Sequence, residues 1–195
     1  IHQNIIDTLA NIKKNKRITG GSRVHESDGF CAVLPYFLHT NSFYNLKKII
    51  STVCASPISI KYGLAKIHII NFALQGSKNP INSFLKKYRN NSYFSEVLKG
   101  IYKVKRIKSK PHGYAVKKLG ISCRYPGTFN SSIHAIISST SYKMAILKTI
   151  RAGGCNCSRS NFIGSFFAAF KGPGSIPKSW VLKCVHSNNI QKYSK

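Results

Sequence analysis

Acidic side chains are what this 195-residue chain has least of: Asp7, Glu26, Asp28 and Glu96 stand against 31 Lys and Arg, for a net charge of +27. Such a balance points to nucleic acid or an anionic membrane surface as partner. Basic clusters lie at Lys13-Lys14-Asn15-Lys16-Arg17, at Lys86-Lys87-Tyr88-Arg89 and between Lys103 and Lys110. The cations are nonetheless spread over almost every polar face and mixed with abundant Asn, Ser and Ile. A drift from Glu to Lys and from Asp to Asn, each a single G-to-A codon change, gives the same composition. The charge is therefore read as a hint about partners only, with salt-sensitive, non-specific adhesion to polyanions expected in either case.

Other absences narrow the class. No apolar run approaches the length that crosses a bilayer, the nearest being Phe162 to Phe170. The chain opens on Ile1, with neither Met nor a secretory pattern, which predicts a fragment or a domain cut from a longer chain. The six cysteines lack the spacing of a small disulfide framework, so free thiols and an intracellular, cytoplasmic location are expected. There is no convincing period-two strand and no internal repeat. The chain has 43% apolar and 11% aromatic residues, the composition of one folding globular domain.

The periodicities present are helical. Ile5, Ile6, Leu9 and Ile12 form a short stripe before a Lys-rich Gly20-Gly21 loop. Phe30 to His39 reads as a segment interrupted by Pro35, and Asn45 to Ala55 follows. Pro57 sits in the first turn of a longer helix with Ile60, Leu64, Ile67 and Leu74 inward, stopping near Gly76. Pro80 opens a helix with Ile81, Phe84, Leu85 and Tyr88 on one side, and Phe94 to Val104 adds another. Pro126-Gly127 starts a helix, and Ser141 caps Tyr142 to Arg151, with Ala145, Ile146 and Ile150 inward. Gly153 stops that helix. Ser158 is expected to cap the next, whose Phe162, Ile163, Phe166, Phe167 and Phe170 make it central. Pro177 begins a last helix through Trp180 and Leu182, and the polar tail should fray.

The chemistry concentrates in Arg151-Ala152-Gly153-Gly154-Cys155-Asn156-Cys157-Ser158-Arg159, a Gly-Gly turn opening a helix, where N–H groups can converge on an ion or phosphate. Ile176-Pro177-Lys178-Ser179-Trp180 follows one helix later. With Asp28-Gly29-Phe30, Val33-Leu34-Pro35, Tyr62-Gly63-Leu64-Ala65 and Ser122 to Phe129, these segments resemble the ADP-ribosylglycohydrolase superfamily. The Asn-Cys-Ser-Arg form is most similar to the branch containing selenoprotein J and the J crystallins. The resemblance spans roughly Asp28 to Lys183 and is strongest after Ser122.

It implies an all-α, compact orthogonal multi-helix bundle, truncated at its N-terminus. Residues 1–27 would be a remnant helix and basic loop, 28–185 a partial family domain and 186–195 a polar tail. It also implies magnesium-dependent hydrolysis of ADP-ribosyl bonds, with metal ligands at Cys155, Cys157 and Ser158. The family has aspartates at the first two positions, and its early threonine-aspartate-aspartate motif has no counterpart here. Ser56 to Ser59 also lack its glutamine and asparagine. Magnesium takes hard oxygen ligands and thiols are poor substitutes, so no metal and little or no catalysis are expected. Gly153, Gly154, Asn156, Ser158 and Arg159 would then border a residual site for an ADP-ribose-type ligand. A crystallin-like structural role and a polyanion-binding module are the alternatives. A soft-metal role for Cys155 and Cys157, and a nucleophilic pair of Cys123 with His112 or His134, are lesser readings.

Overall fold

Ser56-Pro57 and Asn79-Pro80 start helices by the same chemistry. Proline fixes a helical φ where its missing N–H costs nothing, and the residue before it caps. Ser56 Oγ accepts from Ser59 N–H, and Asn79 Oδ1 accepts from Asn82 N–H at 3.1 Å. The computed structural model describes residues 3–193, and among them the regular elements are helices. They are α1 (Gln3–Lys13), α2 (Asp28–Thr40), α3 (Leu46–Val53), α4 (Pro57–Leu74), α5 (Pro80–Tyr88) and α6 (Ser95–Arg106). Then come α7 (His112–Leu119), α8 (Gly127–Ile137), α9 (Tyr142–Arg151), α10 (Asn156–Lys171), α11 (Lys178–Leu182) and α12 (Ser187–Tyr193). Two isolated bridges, Gly21 with Cys54 and Glu26 with Arg124, are the β-type pairings among the described residues.

The bundle is all-α, and α10 is its axis, packed on α4, α8 and α9. Phe162, Ile163, Phe166 and Phe167 are buried along it, as their spacing predicts. Phe162 meets Phe30 edge-on and Phe129 face-on, which ties α10 to α2 and α8. The long α4 is buried on most of its circumference; Leu74, expected inward, is exposed, while Ile69, Ile70 and even Lys66 are covered.

Several expectations are corrected. Helix α1 forms, but Ile5, Ile6, Leu9 and Ile12 face solvent, and Asn4 and Asp7 are the buried residues. The reason is a polar network: Arg23 Nε donates to Asp7 Oδ2 at 3.0 Å and Gln3 Nε2 to Asp7 Oδ1 at 2.9 Å. Pro35 does not interrupt α2. It and Cys31, whose carbonyl loses its i+4 donor, are both exposed, so water can serve that carbonyl. Ile150 is exposed and Thr149 takes the inward place on α9. Helix α7 escapes the sequence reading altogether, and residues 187–193, expected to fray, form α12. Ser194 and Lys195 lie outside the described residues. Trp180 packs edge-on to Tyr142, 6.2 Å between centroids, holding α11 to α9.

Candidate functional site

The Gly153-Gly154 turn is shaped by its backbone. Both glycines have left-handed φ, +72° and +71°. At Gly154 any Cβ would lie 2.3 Å from the Ile121 carbonyl oxygen, so the position accepts glycine alone. Ile121 O is the anchor of the turn: it accepts from Cys155 N–H at 2.9 Å and from an Arg159 guanidinium nitrogen at 3.3 Å.

The helix begins differently from expectation. Residue Cys155, not Ser158, occupies the N-cap of α10, and it makes no side-chain cap bond. Ser158 is in the first turn, where its Oγ accepts from the Cys155 thiol at 3.2 Å. Cys157 is exposed. Arg159, expected to border a ligand site, is completely buried. Its guanidinium donates to Gly153 O and, at 2.9 Å, to Asn156 Oδ1. Burial lowers its pKa, yet a guanidinium stays protonated, so a fixed positive charge lies inside the turn. The structure thus joins Gly153, Asn156 and Arg159 in one hydrogen-bonded unit and turns that unit inward.

This donor set does not fit magnesium. The oxygen of Ser158 is engaged by a thiol, that of Asn156 by Arg159, and a cation already sits beneath them. Among the described residues, His, Cys, Asp and Glu form no group of three arranged to hold a metal ion.

Near the turn the structure gathers residues that sequence reasoning did not place there. Cys123, an electrostatic neighbour of Cys155, donates its thiol to Glu26 Oε1 at 3.2 Å. Glu26 Oε2 accepts from Asn4 Nδ2 at 3.3 Å. Burial, then this bond to Glu26, pushes the Cys123 thiol up to about 12, so it is no thiolate nucleophile near neutrality. The one signal pointing here was scarcity, since Glu26 and Asp28 are half of all the carboxylates.

The proposed pairing of Cys123 with His112 or His134 is not formed, because the two histidines pair with each other. His134 Nε2 lies 3.1 Å from Ile107 O and must donate to it. A neutral His134 then offers a bare Nδ1, which accepts from His112 Nδ1–H at 3.0 Å. That leaves His112 Nε2 as acceptor for the Thr149 hydroxyl at 3.4 Å. Every ring nitrogen is satisfied with both rings neutral, and burial holds His112 down at about 4. His25 Nδ1 and Ser56 Oγ, 2.5 Å apart, close the region where the resemblance expected glutamine and asparagine.

Beside this, Lys66 on α4 is wholly buried, its Nζ donating to Ser27 Oγ at 2.5 Å. The Phe30, Tyr125 and Phe162 rings surround it at 4.8, 5.1 and 5.3 Å. Desolvation brings its pKa down to about 7.

Comparison with known proteins agrees with this architecture. Crystallin J1A and Crystallin J1B of Tripedalia cystophora are 36% and 29% identical over 80 residues, which is 41% of this chain and 25% of each relative. The chain therefore matches about a quarter of the length of these curated relatives. A solved structure, an ADP-ribosylglycohydrolase-related protein complex, shares the fold at TM-score 0.73 and 14% identity, with 98% of this chain and 66% of that chain covered. Residues 29–195 match the family described as ADP-ribosylglycohydrolase, and the chain belongs to that family.

Proposed function

We propose that the chain is a non-hydrolytic member of the ADP-ribosylglycohydrolase family whose loop-to-helix turn is a residual site for an ADP-ribose-type ligand. The observation that carries this reading is the buried Arg159 guanidinium, bonded to Gly153 O and Asn156 Oδ1, together with sulfur at Cys155 and Cys157. A fixed cation repels a magnesium ion, and thiols ligate it poorly. The same charge, added to the helix N-terminus, suits a phosphate. The open thiols favour a reducing, cytoplasmic setting. None of the described helices is long and apolar enough to cross a membrane.

The test is incubation of the purified chain with ADP-ribosylated protein and magnesium. No chelator-sensitive release of ADP-ribose is expected, whereas release abolished by EDTA would refute the reading. A second reading, a crystallin-type structural protein, is favoured by the 36% identity to Crystallin J1A. Melting with and without ADP-ribose separates the two: a saturable upward shift supports the residual site, and no shift supports the structural role.

A further inference from the structure

A cavity lies toward the opposite end of α10 from the turn, about 15 to 22 Å along the helix axis at 1.5 Å per residue. It opens where α6, α8 and α10 end and α5 begins, and its volume is about 520 Å³. That is within the range of about 300–1,000 Å³ common to small-molecule sites. Ile81, Ile136, Phe166 and Phe167, all buried, form its floor, with the half-buried Ile137 and Phe170 as walls.

Its rim carries one sign of charge. Lys78, Lys105, Lys108 and Lys171 surround the mouth, and none of the chain's four carboxylates lines it. Lys105 Nζ is held at the rim by Asn82 Oδ1 at 3.0 Å, and Lys171 Nζ lies 5.1 Å from the Phe170 ring centre. In the same wall Ser139 Oγ is buried with no hydrogen-bond partner. A buried polar atom in that state lowers the free energy of any ligand that supplies one.

We propose that this groove binds an organic anion with an apolar body, of the medium-chain alkyl carboxylate class. The alkyl part replaces water on the Ile and Phe floor, and the carboxylate stays at the lysine rim, where it can also accept from Ser139. The chemistry selects against other occupants. A nucleotide with its phosphates at the lysine rim would lay its ribose and base edges on the Ile and Phe floor, which offers them no polar partners. A second copy of the chain would bring another +27 charges to the same face.

The experiment is calorimetric titration of the full chain with dodecanoate below its micelle concentration, with dodecanol and acetate as comparisons. One dodecanoate per chain is expected, with dodecanol at least about tenfold weaker, the difference that charge-assisted contacts supply. The exposed pair Lys78→Gln/Lys108→Gln should weaken dodecanoate by about tenfold and leave dodecanol unchanged. Lys13→Gln/Lys14→Gln removes the same charge elsewhere and should change nothing, with circular dichroism confirming the fold of each variant. Equal binding of dodecanol, several dodecanoates per chain, or equal losses in both lysine pairs would each overturn the proposal. So would stoichiometric displacement of dodecanoate by pyrophosphate, which would make the groove an inorganic-anion site. None of these readings touches ADP-ribose, so the outcome is independent of the function proposed above.

Discussion

Gly153 and Gly154 share a backbone conformation and differ in what surrounds them. A methyl group at Gly153 meets nothing within 4 Å, whereas at Gly154 it strikes the Ile121 carbonyl. Gly153→Ala should cost about 1 kcal/mol, the left-handed penalty alone. Gly154→Ala should cost roughly 3 kcal/mol, because backbone must move as well. Urea midpoints at constant slope would measure both, and equal costs would show that the Ile121 contact is unimportant. Lys66 offers another residue-scale prediction. Its folded pKa, about 7, lies below the ordinary 10.5, so the unfolded chain binds more protons between those values. The Lys66 contribution is therefore complete above 10.5 and is lost as pH falls toward 7. Lys66→Met, an apolar chain of similar length among three rings, should be neutral or stabilising at pH 7. Melting temperatures at pH 7 and 9 should rise in the native chain and stay level in this variant.

At the scale of elements, α7, α8 and α9 are held by the Thr149–His112–His134–Ile107 series, which works only while both rings are neutral. His134, Arg159 and Lys148 all oppose a charge on His112, and Lys87 opposes one on half-buried His68. Both histidines are brought down to about 4, chiefly by burial. With folded values below the unfolded 6.5, their contribution is complete above pH 6.5 and lost as pH falls toward 4. Each is worth on the order of 3 kcal/mol as an upper figure. Chemical denaturation from pH 7 to 4 should show stability falling steeply below 6.5, and His112→Gln should flatten the curve. Helices α4, α5 and α9 carry local start and stop signals, Ser56-Pro57, Asn79-Pro80, Ser141 and Gly153, while α3 and α6 were legible from their apolar periodicity alone. The failures are those decided at long range. The stripe of α1 was legible, but its orientation was set by Arg23 on Asp7. Helix α7 does carry end signals, Pro111 before it and Gly120 after it, but its eight residues bury only His112, Ala115 and Val116, too few to make an apolar stripe. The candidate turn was legible as Gly-Gly and as thiols in aspartate places. The burial of Arg159 and the Cys123–Glu26 bond, 97 residues apart, were not.

For the whole molecule, three of the four carboxylates are engaged as follows. Asp7 pairs with Arg23, Glu96 with Lys61, and Glu26 is buried against Cys123. The net +27 already subtracts these carboxylates, and apart from buried Lys66 and Arg159 the described cations are half-buried or exposed. Binding to duplex DNA should show no sequence preference and should fall steeply with added salt. Sequence-selective retention at high salt, in a filter or gel-shift assay, would instead mark a dedicated nucleic-acid module. Arg159 adds a different consequence. By burying a guanidinium under its helix opening, the chain ties the neutral oxygens of Ile121, Gly153 and Asn156 together with a cation that is part of its own covalent structure. Such a cation cannot be diluted, chelated or exchanged, so this turn needs no bound metal ion to hold its oxygens together.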